Sequence, residues 1–138
     1  MSTKTEPVHT LRSRAPVRLD LAGGWTDVPP FSTEVGGAVV NATINRYTYA
    51  SVRLIETDDI HLISADYDLS LTLPGTERLT YDGRLDLLKA ALNRLGPHKG
   101  IKLFVRSDAP PGSGVGSSGA TGVAILGVLN ALRPQPLS

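Results

Sequence analysis

Between Gly100 and Leu132 the hydrophobic pattern changes period across a glycine-rich break, and few folds accommodate that change. Ile101, Leu103 and Val105 alternate with Lys102, Phe104 and Arg106, the two-residue period of a strand with one face buried. DAPPGSGVGSSGATG follows, from Asp108 to Gly122, and Ala120, Val123, Ala124, Gly127 and Val128 then set out a helix closed by Arg133-Pro134. A strand, a glycine turn and a helix in that order aim free backbone N–H groups at one point. Glycine permits positive φ and a close approach to a ligand, and the helix start adds roughly half a positive charge. No Asp or Glu follows Asp108, so no acid on this helix opposes an anion. The expected ligand is a phosphate.

Which phosphate loop this is follows partly by exclusion. It has no lysine and is not a Walker A loop. Gly114 to Gly119 spells G-x-G-x-x-G, but a dinucleotide fold needs an acid about 20 residues further on, and none exists. Val123 to Leu126 reads VAIL, without the lysine a protein kinase places there. Ser117 and Ser118 fall in the first helical turn, where a hydroxyl either caps the helix or ligates a phosphate-bound Mg²⁺.

The rest of the chain is strand-rich. Val8–Arg14 and Arg18–Ala22 read as short strands broken by Ala15-Pro16. Gly37–Ile44 and Tyr47–Ile55 are rich in Val, Ile, Thr and Tyr. Ile60–Ser64 and Leu69–Leu73 flank a turn, Ala65 to Asp68. Leu85, Leu88, Leu92 and Leu95 recur at helical steps, and Gly96-Pro97 stops that helix. The order predicts an α+β domain over residues 11–138, a mixed or antiparallel sheet covered by helices, after a flexible start at residues 1–10.

Composition narrows the function. Fourteen basic and thirteen acidic residues leave a net charge of +1, and neither sign forms a block. No nucleic-acid or membrane partner is expected. The absence of cysteine removes thiolate and Cys–zinc chemistry. The polar start MSTKTEPVHT lacks a signal-peptide core, and Gly122 to Leu132 is short of the ~20 residues that span a bilayer, so a cytoplasmic protein is expected. His9, His61 and His98 are scattered, and Asp58-Asp59 and Asp66/Asp68 read as turn decoration.

A second unusual stretch is RAPVRLDLAGGWTDVPPF, Arg14 to Phe31. Arg18 and Asp20, two apart on a strand, point to one side. Gly23-Gly24 then turn the chain and present Trp25, Thr26 and Asp27. A carboxylate beside an aromatic holds a sugar through its hydroxyls and its C–H face; the bland reading is a tight turn around one tryptophan.

Together the two stretches resemble the GHMP small-molecule kinases. APVRLDLAGGWTD is similar to the family's first motif, a Pro-x-Arg-x-x-Leu-x-Gly strand and turn. PPGSGVGSSGA is similar to its second, the Pro-x-x-x-Gly-Leu-Gly-Ser-Ser loop. Within the family, LAGG-x-TD, GGAVVNATI (Gly36 to Ile44) and GRLDLLKAALNRL (Gly83 to Leu95) resemble the D-glycero-D-manno-heptose 7-phosphate kinases. The GGWTDVPP wording looks more like L-fucokinase.

The resemblance implies a ribosomal-protein-like N-terminal domain, with ATP and Mg²⁺ as cofactors and a sugar or sugar-phosphate hydroxyl as acceptor. It places the β- and γ-phosphates on Pro111, Gly112, Ser113, Gly114, Val115, Gly116, Ser117 and Ser118. Ser118 is then the Mg²⁺ ligand and Arg18 the catalytic cation near the reacting hydroxyl. Gly24, Trp25, Thr26 and Asp27 form the sugar-contact turn. Asp20 stands where relatives often carry Asn and is not the base. The family's catalytic aspartate and Mg²⁺-binding glutamate lie after the second motif, and a third glycine motif lies in a C-terminal domain. The chain is therefore expected to be an inactive N-terminal portion, with Pro-Leu-Ser138 entering a further helix. An uncovered face would receive the C-terminal domain or a second copy. The alternatives are a non-catalytic nucleotide-binding or assembly module, and an L-fucose- or galactose-type kinase.

Overall fold

The structure, a computed structural model, describes residues 10–137. Of the flexible start expected at residues 1–10, residues 1–9 lie outside the described residues, as does the helix entry at Ser138, and Thr10 is the first residue of β1. The chain runs β1 (Thr10–Ala22), α1 (Phe31–Glu34), β2 (Val40–Leu54), β3 (Ile60–Ser64), β4 (Leu69–Leu73), α2 (Asp86–Leu95), β5 (Ile101–Ser107) and α3 (Ser117–Ala131). The strands form one five-stranded sheet in the order β1-β2-β5-β3-β4. Three neighbours are antiparallel and β3 runs parallel to β5, so the sheet is mixed, as the element order implied.

Two expected breaks are absent. The described part of Val8–Arg14, from Thr10, belongs to one strand with Arg18–Ala22, and most of Gly37–Ile44 and Tyr47–Ile55 likewise form one strand. The pairing explains why the sequence suggested otherwise. Pro16 stands opposite Tyr47, whereas Arg18 stands opposite Thr43. The irregularity at Pro16 on β1 and the extra residues of β2 between Thr43 and Tyr47 meet at one rung, a bulge that continues both strands. β1 is the sheet edge, where a proline is tolerated because no strand pairs on its outer side.

The helices cover one face. Residues of β1, β2, β3 and β5 alternate, so that Ala15, Val17, Ala50, Val52, Leu62, Leu103 and Val105 meet Leu88, Leu92, Ala124, Ile125, Val128 and Leu129 in one core. Full burial of each large aliphatic contributes about 1.5–3 kcal/mol. The α3 stripe differs from expectation at Val123, which is 64% exposed. The burial instead follows Ala120, Ala124, Ile125, Val128 and Leu129. Helix α2 ends as read, with the Gly96 N–H donating to the Leu92 carbonyl. Among the described residues, no helix is long and apolar enough to cross a membrane.

Candidate functional site

The glycine loop starts from an anchored strand end. The Asp108 carboxylate accepts the Tyr47 N–H (3.1 Å), the Tyr49 hydroxyl (3.2 Å) and an Arg106 guanidinium N–H (3.1 Å). Its own N–H donates to the Tyr47 carbonyl. Beyond it, Gly112, Gly114 and Gly116 take φ of 77°, 74° and 71°. A Cβ at Gly112 or Gly114 would touch nothing within 4 Å, so conformation, not crowding, calls for glycine at both. Left-handed residues alternating with Ser113 and Val115 give the kind of backbone concavity that binds anions, in which the Ser113 N–H is itself donated to the Pro110 carbonyl. Gly116 is the N-cap of α3 and offers no side chain to close it, leaving the first-turn amides free for a ligand. Ser117 and Ser118 stand in that turn and therefore do not cap it.

Arg18 ties the loop to β1. Its N–H donates to the Val115 carbonyl at 3.0 Å. Its guanidinium pairs with Asp20 at 2.9 Å, and a Cβ at Gly116 would lie 3.1 Å from its Nη1. The hydrogen bond and charge of Asp20 raise the Arg18 pKa above its ordinary value, so it is a permanent cation.

The second glycine cluster is a turn closed by the Thr26 N–H to the Gly23 carbonyl at 3.0 Å. The Thr26 hydroxyl donates to the Gly23 carbonyl (2.7 Å) and accepts from the Ala38 N–H (3.1 Å). Thr26 therefore builds the turn from within. Trp25 holds a φ of 72° and is 83% exposed. A bulky residue in the left-handed region costs of order 1–3 kcal/mol, and here that cost displays an indole to solvent.

Two cavities meet at the loop. The larger, about 830 Å³, is walled by Tyr67 and Leu69, by Leu85 and Leu87, and by Ser117 and Ser118, with Pro111, Gly112, Gly114 and Gly116 along one side. The smaller, about 520 Å³, is lined by Arg18, Asp20, Gly24, Trp25, Asp27 and Asn41, and again by Gly114 and Gly116. The sequence-predicted residues thus divide between two sides of one loop. Ser113, Val115 and Thr26 line neither cavity: Ser113 makes the turn to Pro110, Val115 packs on the core, and the Thr26 hydroxyl is taken up inside its own turn.

Several wall residues were not anticipated. Asp66, read as turn decoration, accepts the Ser107 N–H at 2.8 Å and lines the larger cavity. Parallel pairing of Ser64 with Val105 carries its turn beside the glycine loop, a juxtaposition no local spacing encodes. Asn41 lines the smaller cavity because β2 stands opposite Asp20. His61 and His98 line neither. Among the described residues no three His, Cys, Asp or Glu gather as a metal site.

The family described as GHMP kinases N terminal domain matches residues 84–138. The D-glycero-alpha-D-manno-heptose 7-phosphate kinase of Campylobacter jejuni is 34% identical over 124 residues, which are 86% of this chain and 37% of that protein. The L-fucokinase/L-fucose-1-P guanylyltransferase of Bacteroides fragilis is 30% identical over 144 residues, covering 85% of this chain and 15% of that one. A crystal structure of a D-glycero-D-manno-heptose 1-phosphate kinase from Bacteroides thetaiotaomicron superposes with a TM-score of 0.81 at 36% identity, covering 91% of this chain and 43% of that one. The chain thus spans well under half the length of each.

Proposed function

Because this chain belongs to the GHMP kinases through their N-terminal domain, we propose that it binds ATP and a sugar on opposite sides of the glycine loop, for transfer of the γ-phosphoryl group to a sugar hydroxyl. The observation that carries this is the pair of cavities sharing Gly114 and Gly116. A donor in one and an acceptor in the other meet at the loop, where transfer needs them in line.

In this reading the adenine enters the apolar part of the larger cavity, between Tyr67, Leu69 and Leu87. The amides from Gly112 to Ser118 and the α3 dipole hold the phosphates. Mg²⁺, when bound, neutralises phosphate charge. Ser118 lines the cavity and fits as one oxygen ligand beside phosphate oxygens, in keeping with the few protein ligands Mg²⁺ takes. Arg18 stabilises charge developing between the two ligands. Trp25 stacks on the sugar, while Asp27 and Asn41 take its hydroxyls, and Gly24 and Thr26 shape the turn.

The acceptor is a sugar or sugar phosphate, with D-glycero-D-manno-heptose 7-phosphate the first candidate and L-fucose the second. Turnover is proposed for a protein that also supplies the acids absent after Asp108. Calorimetry of the chain with Mg-ATP should show one site, lost in Gly116→Val. A sugar and sugar-phosphate panel should give ADP release from the assembled protein. Absence of Mg-ATP binding, or turnover with no acceptor, overturns the reading.

A further inference from the structure

The wall of the larger cavity that faces α3 is the segment entering α2, and its shape is held by charge. Gly83, Leu85, Asp86 and Leu87 all border the cavity. The backbone there is unusual: Gly83 has a φ of 84° and Leu85, the N-cap of α2, a φ of 52°. A ring of hydrogen bonds maintains it. The Asp86 carboxylate accepts the N–H groups of Asp82 (3.1 Å) and Gly83 (2.8 Å). The Asp82 carboxylate accepts the Arg84 N–H at 2.9 Å.

Both carboxylates converge on Lys89. Its Nζ lies 2.5 Å from Asp82 and 3.5 Å from Asp86, and the residue is only 2% exposed. It is the one charged side chain buried among the described residues. Burying an ammonium costs several kcal/mol unless it is well paired, and an apolar residue of similar size often stabilises as much. Packing therefore gives no reason for a lysine here. The cavity does: Asp86 borders it and Asp82 stands beside it, so two negative charges would oppose a polyphosphate.

We propose that Lys89 is a positioning residue for the nucleotide. Its buried ammonium closes the Asp82–Asp86 wall and cancels the carboxylates at the edge of the phosphate-binding cavity. The proposal rests on the reading of that cavity as the nucleotide site and adds a residue that no ligand touches.

The test uses the full 138-residue chain and Mg²⁺ with ATP labelled by a fluorescent N-methylanthraniloyl group, read by anisotropy. If the unsubstituted chain does not bind this probe, the nucleotide reading fails independently of Lys89. If it binds, Lys89→Met should weaken the affinity at least tenfold, and added salt should narrow the gap by screening. The triple variant K89M/D82N/D86N should return to within about threefold of the original chain, because both repelling charges are gone. Asp86→Asn alone, which leaves Lys89 paired with Asp82, should bind two- to fivefold more tightly and reads out even if Lys89→Met does not fold. Unchanged binding in Lys89→Met, a triple variant no better than the single one, or unchanged or weaker binding in Asp86→Asn overturns the proposal.

Discussion

The backbone N–H of Arg18 donates to the carbonyl of Val115 at 3.0 Å, which ties β1, the strand leading to the Gly23–Thr26 turn, to the glycine loop. The partners lie 97 positions apart in the chain, and under the proposed function their ligands need mutual placement to a fraction of an ångström.

That link makes Gly116 the sensitive glycine. An alanine there combines the left-handed penalty of roughly 1–2 kcal/mol with a contact on Arg18 Nη1 at 3.1 Å. Gly112→Ala meets the same penalty without a neighbour. Calorimetry should show both variants losing about tenfold or more in Mg-ATP affinity, with only Gly116→Ala also weakening the sugar.

Arg18→Met should separate stability from chemistry. Its ion pair with Asp20 is exposed and contributes little to stability, so thermal unfolding should hardly change. Transfer in the assembled protein should fall by about 10²–10³ if the cation stabilises the transition state. Equal rates would remove Arg18 from the chemistry.

Thr26→Val tests whether the sugar turn is built from inside. The hydroxyl bridges Gly23 and Ala38, and leaving those groups unsatisfied costs about 1–3 kcal/mol. Trp25 is the sole tryptophan and is 83% exposed. Its emission should shift in the variant, and sugar-induced quenching should weaken.

Asp108→Ala removes the three hydrogen bonds that anchor the strand before the loop. Denaturant unfolding should show a loss of about 1–3 kcal/mol together with weaker Mg-ATP binding. An effect on stability alone would detach the anchor from the site.

Acid should act through Asp82. The Lys89 hydrogen bond, followed by that of the Arg84 N–H, lowers its pKa below the ordinary value. A lowered carboxylate stabilises the fold fully above about pH 3.9 and loses that contribution as pH falls through the folded value. Asp82→Asn should therefore flatten the acid limb of stability against pH, measured by thermal unfolding between neutral pH and pH 3. An unchanged acid limb would remove the Lys89 pair from the balance.

Much of this architecture was legible locally. The period-two run Ile101, Leu103, Val105, the glycine alternation and the serine pair depend on neighbours a few residues away, and each occurs where the pattern put it. Pro16 misled for a physical reason: a proline breaks a central strand, and only the sheet order reveals that β1 is an edge. Val123 misled because an apolar residue on a helix is assigned to the core before its angular position against the sheet is known.

The sequence by itself determined most of the elements, the two glycine clusters and the kinship they carry, since backbone φ, hydrophobic period and capping act over one or two turns. Tertiary structure alone decided that both clusters line the smaller cavity, that Asp66 walls the larger one, and that Lys89 is buried beneath Asp82 and Asp86. Those facts depend on strand pairing and helix docking between residues far apart in the chain, where burial sets the energy of a charge and no short-range pattern records it.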